Sequence, residues 1–452
     1  MNVRLLSIQL LSLKLNVERW TFACRSFMRT AVLNTGTELL LGDVQDGHLS
    51  FIAHEIFSLR LRIGEQRTVP DGEAIRDALA ELFSRAEILF VTGGLGPTTD
   101  DITRDIVADL LGLELRQNAE LLASLQRRLK ARGFKWTARI ARQAEVPAGA
   151  QILPNESGSA AGLYFRADIN PRIRSPHLFL LPGPPRELQP MFREFVIPIL
   201  RSIVQVPLSI ERRLYKIAGV GESIVEETIG EKVLAIPGIE LGYCARPGEV
   251  DVRILGEPDA VERADTIVRS ELGLSIFSTS DETLDEVLVK LLTERNETLA
   301  IAESCTGGLL ANRITNVPGA SKVFVAGYVV YANEAKINML GVDKDLIEKH
   351  GAVSEPVARA MTEGARARAR STCSLATTGI AGPTGGSEEK PAGTVYVALA
   401  FADQETIVKR FFFPSDRETF KQLTAQAAFE MLRRRLIGCG VGAIDLNRPA
   451  VR

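Results

Sequence analysis

A chain of 452 residues, 45% apolar and 24% charged, is long enough for about three domains at roughly 100–200 residues each. That composition excludes large-scale disorder, and a formal net charge of −2 gives no global pull toward nucleic acid, for which a local basic patch would be needed. The five cysteines (Cys24, Cys244, Cys305, Cys373 and Cys439) make no C-x-x-C pair, which argues against a disulfide framework or a zinc site and for a reducing cytoplasm.

No apolar run reaches the length of a membrane span. Residues 1–27 read either as a poor signal peptide or as an extension ahead of a true start at Met28. The second reading is preferred, because Arg29-Thr30-Ala31-Val32-Leu33 opens a domain as a first strand.

From Met28 onward, short apolar runs alternate with amphipathic ones. Ala31–Leu33 and Ile88–Val91 read as buried strands, and Asp71–Ser84 as a helix with Ile75, Leu79, Leu82 and Phe83 on one face. The rhythm predicts a mostly parallel sheet with helices on both sides. Two glycine-rich turns follow strands here. Gly36 and Thr37 lie in the first; Gly93, Gly94, Gly96, Pro97 and Thr98 lie in the second. Backbone N–H groups in such turns suit a nucleotide phosphate. Asp100, Asp101 and Glu38 offer oxygen ligands for a hard divalent cation; helix capping is the other reading of the aspartate pair.

Between about Pro207 and Ile276 the texture becomes that of a small α+β unit. Arg212–Ile217 reads as a half-exposed strand, Ser223–Leu234 and Ala260–Leu272 as helices. Leu241–Cys244 and Val250–Ile254 read as paired strands around Pro247-Gly248. From Asp281 the α/β rhythm returns. Helices are expected at Leu284–Arg295 and Phe420–Leu436, and strands at Thr298–Ala302, Val323–Tyr331, Ser374–Thr378 and Thr394–Phe401.

Three clusters in this last stretch lie where α/β sites lie, beyond the carboxyl ends of strands. In the first, Ser304 is a candidate nucleophile ahead of Thr306, Gly307 and Gly308, whose N–H groups open the helix Leu309–Thr315 and could steady an oxyanion. In the second, Asn333 is a candidate N-cap and Lys336 falls in the first helical turn, where the dipole and desolvation both favour a neutral amine. Such a lysine can take a proton from a serine, with Tyr331 relaying the proton or holding the amine. The third runs from Thr378 to Lys390 and carries Gly379, Gly382, Gly385 and Gly386, a composition suited to wrapping a nucleotide. Cys305 is an alternative nucleophile, although no histidine lies near it in sequence.

Glu303-Ser304-Cys305-Thr306-Gly307-Gly308, Tyr331-x-Asn333-Glu334-x-Lys336, His350-Gly351-Ala352-Val353-Ser354 and Gly379-Ile380-Ala381-Gly382-Pro383-x-Gly385-Gly386 together resemble the C-terminal domain of the CinA family. The resemblance implies a nicotinamide mononucleotide deamidase needing no cofactor for that step. Ser304 would be the nucleophile, Lys336 its base, Tyr331 a support and Ser321 a second polar group in the pocket.

The glycine turns of residues 34–42 and 92–101, with Leu181-Pro182-Gly183-Pro184-Pro185, resemble the molybdopterin-binding fold of the MoaB and MogA type in the version joined to CinA. That likeness implies hydrolysis of ADP-ribose with a divalent metal (Mg, Mn, Co or Ni), or molybdopterin binding as the rival. Asp46-Gly47-His48 departs from the Asn-containing stretch of relatives.

The middle unit resembles a KH-like module. Its Gly219-Val220-Gly221-Glu222 is a faint Gly-x-x-Gly echo in which Glu222 would repel phosphate, so a connector is expected. The implied organisation is an extension (1–27), a three-layer α/β/α MoaB/MogA-like domain (28–206), a KH-like connector (207–278), an α/β deamidase domain (279–440) and a tail (441–452). A cytoplasmic homodimer with neither membrane nor specific nucleic-acid partners is expected. The competing reading is a nucleotide- or molybdopterin-binding accessory protein in competence or DNA-damage response, without catalysis.

Overall fold

The computed structural model describes residues 28–131, 133, 136–204, 210–402 and 404–438. The expectations for 1–27 and 441–452 lie outside these. The chain divides into two compact units, one ending at Leu208 and the other beginning at Ser209.

The first unit is built on strands β1 (Arg29–Thr35), β2 (Arg62–Val69), β3 (Ile88–Thr92), β4 (Gln151–Leu153), β5 (Gly162–Phe165) and β6 (His177–Leu181), ordered β2-β1-β3-β6-β5-β4. The pairings among β2, β1, β3 and β6 are parallel; β5 and β4 join antiparallel. Strand alternation sorts the apolar side chains onto two faces. Ala31, Leu33, Leu89, Val91, Leu178 and Leu180 pack on one side, and Val32, Ile88, Phe90, Phe179 and Leu181 on the other.

Helices cover both faces, which gives the three layers. Among them are α2 (His48–Phe57), α3 (Glu73–Arg85) and α4 (Thr103–Leu110), whereas the short α1 (Thr37–Leu41) buries no residue. The helix read at Asp71–Ser84 is α3; it starts after Gly72, whose φ of 116° is open to glycine and closed to most residues.

The second unit holds two sheets. One contains β7 (Glu211–Ala218), β8 (Glu240–Arg246), β9 (Glu249–Gly256) and β10 (Ile276–Ser278), antiparallel in the order β8-β9-β7-β10, with α5 (Glu222–Leu234) and α6 (Pro258–Leu272) against it.

The other contains β11 (Leu299–Glu303), β12 (Phe324–Val329), β13 (Cys373–Gly379), β14 (Thr394–Phe401) and β15 (Ile407–Phe412), ordered β12-β11-β13-β14-β15. Its first three strands are parallel and the last two antiparallel. One face packs on α7 (Leu284–Glu294), α8 (Leu309–Thr315) and α11 (Arg417–Leu436), the other on α9 (Asn333–Leu340) and α10 (Glu355–Ala369).

Helix α11 begins three residues before the reading from Phe420, because the Asp416 carboxylate accepts the N–H groups of Glu418 and Thr419, both at 3.0 Å. Those three residues bring Arg417 into the helix. Its far end binds the two sheets together: Glu430, buried, accepts from Arg433 and Arg434, both at 2.7 Å, and Gly219 packs against Arg434 and Glu430. Of the Gly-x-x-Gly echo, Gly219 is thus packed against α11, while a Cβ on Gly221 would meet open space. No helix among the described residues is long and apolar enough to cross a membrane.

Candidate active site

Ser304 stands one residue beyond β11. Its N–H donates to the Thr377 carbonyl on β13 (3.0 Å), and the Val330 N–H, just past β12, donates to the Glu303 carbonyl (2.8 Å). The serine is thus held between two neighbouring strand ends. Ala302 faces the α9–α10 side and Glu303 reaches α8, so alternation turns Ser304 toward α9, which carries Lys336.

Lys336 is 1% exposed. Its Nζ donates to the carbonyls of Val330 and Tyr331, each at 3.0 Å. Among the described residues no carboxylate pairs with it. Burial pulls its pKa below the ordinary lysine value; the neighbouring Cys305 works in the opposite direction. These two hydrogen bonds leave one valence of the nitrogen unengaged. Desolvation, one of the two causes read from the sequence, is the one that lowers it here. Asn333 is the exposed first residue of α9 and not its N-cap, which is Ala332.

Four other sequence assignments need correction. Tyr331 is 62% exposed, and its phenol accepts from Arg417 Nη2 at 3.0 Å; the backbone carbonyl, not the hydroxyl, holds the amine. The N–H groups opening α8 are not free for a ligand. Buried Glu303 accepts from Gly308 (3.0 Å), Leu310 (3.1 Å) and Ala311 (2.9 Å), and Gly307 donates to the Ser304 carbonyl (3.2 Å). Of the expected oxyanion donors, the Thr306 N–H alone has no acceptor among the described residues.

Ser321 is exposed in a turn, Ala320–Lys322, ahead of β12. Leu299 at the start of β11 donates to the Val323 carbonyl, so Ser321 lies at the amino edge of the sheet. At about 3.3 Å per residue, that is about 17 Å from Ser304. Finally, burial pushes the Cys305 thiol up to about 12, which removes it as a nucleophile at neutral pH.

The third cluster is partly scaffold. A Cβ on Gly379 would meet the Thr394 carbonyl oxygen at 2.8 Å, and one on Gly386 the Ala392 nitrogen at 2.5 Å. Gly382 and Gly385 take left-handed φ values of 72° and 90°, and the Gly382 carbonyl accepts from Arg417 Nη1 at 2.8 Å. Arg417, missed in sequence, bridges this loop to Tyr331. Lys421, one turn further along α11, brings its Nζ within 3.6 Å of where a Gly307 Cβ would stand. The Arg417-x-x-x-Lys421 spacing was the available signal.

In the first unit the glycine turns meet at the carboxyl ends of β1 and β3. Cβ atoms on Gly93, Gly94 and Gly96 would strike the Thr35 carbonyl oxygen (2.5 Å), Thr103 Oγ1 (2.0 Å) and Asp101 Oδ2 (2.5 Å). Thr37 donates to Asp71 through its N–H (3.0 Å) and hydroxyl (3.2 Å). The Thr98 hydroxyl binds both Asp100 and Asp101, and its N–H donates to Asp101 at 2.8 Å. Pro97 is exposed beside it.

The expected metal set of Glu38, Asp100 and Asp101 does not converge. Among the described residues no three His, Cys, Asp or Glu side chains gather to hold a metal, and Glu38 folds back over Gly36. These residues as they stand do not fit a resident cation. Asp46, at the departure from relatives, is a tie. It accepts from Asn34 (2.6 Å), Gln66 (2.7 Å) and the His48 N–H (2.9 Å).

Fold and site define a two-unit α/β protein whose second unit holds a buried lysine, donating to the carbonyls of Val330 and Tyr331, and a serine at the end of the neighbouring strand. A CinA-like protein of Akkermansia muciniphila is 40% identical over 401 residues, which is 89% of this chain and 96% of the relative. A protein of Caldicellulosiruptor bescii described as competence-damage inducible is 39% identical over 418 residues, 91% of this chain and 100% of its own. The chain belongs to the CinA family.

The family models agree: "Probable molybdopterin binding domain" matches residues 31–202 and "CinA C-terminal domain" residues 281–436. The solved structure of competence/damage inducible protein CihA from Agrobacterium tumefaciens is similar to 35% of this chain over 99% of its own, at 36% identity and a TM-score of 0.33.

Proposed function

We propose that the second unit is an amidohydrolase that converts nicotinamide mononucleotide to nicotinic acid mononucleotide and ammonia. The observation that carries this is the Lys336 amine, buried without a counter-ion and donating to two carbonyls. An amine so placed is a base, since its lone pair is the one valence left unengaged.

Lys336 Nζ takes the proton of Ser304 Oγ as that oxygen attacks the carboxamide carbon. The Thr306 N–H is the donor available to the developing oxyanion. The tetrahedral adduct collapses with cleavage of the C–N bond, and Lys336 returns the proton to the leaving ammonia. A water, deprotonated by the same amine, then cleaves the acyl ester and restores Ser304. No hydrogen bond joins Ser304 to Lys336 in the free protein, and catalytic contacts of this kind often close only with substrate bound.

The first unit is proposed to bind a nucleotide phosphate at its glycine turns, with ADP-ribose hydrolysis as its reaction. The deciding experiment is ammonia release from nicotinamide mononucleotide by wild type, Ser304→Ala and Lys336→Met. Release by wild type that both substitutions abolish is expected. Release that survives either one removes the mechanism, and none from wild type leaves the accessory binding role.

A further inference from the structure

Gln426, midway along α11, is buried, and both ends of its amide are engaged. Its oxygen accepts from Arg313 Nη2 at 3.0 Å, and its nitrogen donates to Glu249 Oε2 at 3.2 Å. A guanidinium only donates and a carboxylate only accepts, so the amide can face one way only. Arg313 lies on α8 and Glu249 opens β9. One side chain therefore ties the helix that follows the Ser304 loop to the β8–β9 hairpin of the other sheet. The turn of that hairpin presses on the same spot: a Cβ on Gly248 would meet Gln426 Cγ at 2.8 Å. Buried polar links of this kind fix one arrangement of the elements that share them.

The link is anchored at both ends. Arg313 Nε and Nη2 donate to Asp285 on α7 at 3.0 and 2.6 Å, and the guanidinium carbon lies 4.8 Å from the centre of the Phe429 ring on α11. Glu249 Oε1 accepts from Lys216 at 3.5 Å and from Arg246 at 3.1 Å, which leaves Oε2 to Gln426. Helix α8 thus meets α11 twice: through Arg313 at Gln426 and Phe429, and ahead of its amino end through Gly307 near Lys421. Arg313 is about 6 Å along the axis from Leu309, the first residue of α8, at 1.5 Å per residue. A shift at Arg313 is therefore carried to the turn that holds the Thr306 N–H.

We propose that Gln426 is a positioning residue for the amidohydrolase site, through which the β8–β9 hairpin holds α8 in register on α11. It acts by setting the Thr306 N–H on one helix against Arg417 and Lys421 on the other. The hairpin then shapes the substrate pocket instead of serving as a spacer alone. Lys336 stands outside this link, since α9 packs on the opposite face of the sheet. The inference rests on the reading of the second unit as an amidohydrolase and adds a role for its other sheet.

Steady-state ammonia release from nicotinamide mononucleotide by the full chain tests it. Gln426→Leu removes both bonds at similar size. It should raise KM at least about fivefold, lower kcat by a smaller factor and leave the pKa that governs kcat/KM where wild type has it. Gln426→Glu keeps the acceptor for Arg313 but sets a carboxylate against Glu249, and should raise KM as well. Adding Glu249→Gln should bring KM back: an amide at position 249 can keep its oxygen on Lys216 and Arg246 and donate its nitrogen to the carboxylate at position 426. If Gln426→Leu does not fold, Gln426→Glu and the double variant decide. Wild-type KM in a folded Gln426 variant overturns the proposal and leaves the amidohydrolase reading intact. So does a double variant that regains the urea midpoint of wild type but not its KM, for then the link serves stability alone. No ammonia release by wild type removes the amidohydrolase reading and this inference with it.

Discussion

The amine of Lys336 and the carbonyl of Val330 meet at 3.0 Å, joining the first turn of α9 to the end of the strand beside Ser304. This bond and its twin to Tyr331 fix where the amine's third valence points. They also make the site depend on burial: a protonated amine would bring a third N–H and a charge into a place with no counter-ion.

A pH dependence follows. Deamidation should need neutral Lys336, so kcat/KM should rise with pH through a pKa lying below the ordinary lysine value of 10.5. Stability should follow the same sign. Between the lowered folded pKa and 10.5 the unfolded chain binds the proton and the folded one does not, so stability rises with pH across that window and is level below the folded pKa. Lys336→Met should abolish that slope. Chemical denaturation of both proteins from neutral pH upward measures it, and identical slopes would contradict a neutral buried amine.

Cys305 should prove dispensable. With its thiol pushed up to about 12 by burial, it is not a thiolate at pH 8. Iodoacetamide at that pH should leave the folded enzyme active, and Cys305→Ala should retain ammonia release within about tenfold, since that side chain contributes packing rather than chemistry. Total loss in a folded Cys305→Ala protein would return the cysteine to the nucleophile's place.

What could be read ahead of the structure divides by range. Ile88–Val91 and Thr394–Phe401 were legible as strands because their apolar runs end at turn residues, and Ser304 and Lys336 because each follows such a run. Contacts between distant segments were not. Nothing local reveals that Glu303 turns across α8 to fill its amino end, or that Ser321, ten residues from Tyr331 in sequence, lies in the turn before the strand that Tyr331 follows, at its opposite end. Arg417 stayed hidden because α11 was read from its first apolar residue, Phe420, and the capping signal at Asp416 was overlooked.

The Glu303 cap should carry a measurable load. Glu303→Ala would strand the N–H groups of Gly308, Leu310 and Ala311, of which that of Leu310 is buried. A loss of about 2–4 kcal/mol is expected from a lost cap plus buried unsatisfied donors. Glu303→Gln keeps one acceptor oxygen and should lose less. Urea unfolding midpoints of the two variants check this; equal losses would mean that the carboxylate's fill of space, not its acceptance of three bonds, is what α8 requires.

Tyr331→Phe separates the tyrosine's two parts. The substitution keeps the backbone carbonyl that accepts from Lys336 and removes the hydroxyl that accepts from Arg417. If the phenol relayed the proton, its loss should approach that of Ser304→Ala in kcat. The geometry gives it a different task, steadying Arg417 between Tyr331 and the Gly382 carbonyl at the rim. Tyr331→Phe should therefore raise KM for nicotinamide mononucleotide and lower kcat by less than about tenfold, as expected when binding rather than the transition state is disturbed. Steady-state kinetics with an ammonia readout decide it. A fall in kcat of about a thousandfold or more at unchanged KM would put the hydroxyl back in the chemical step.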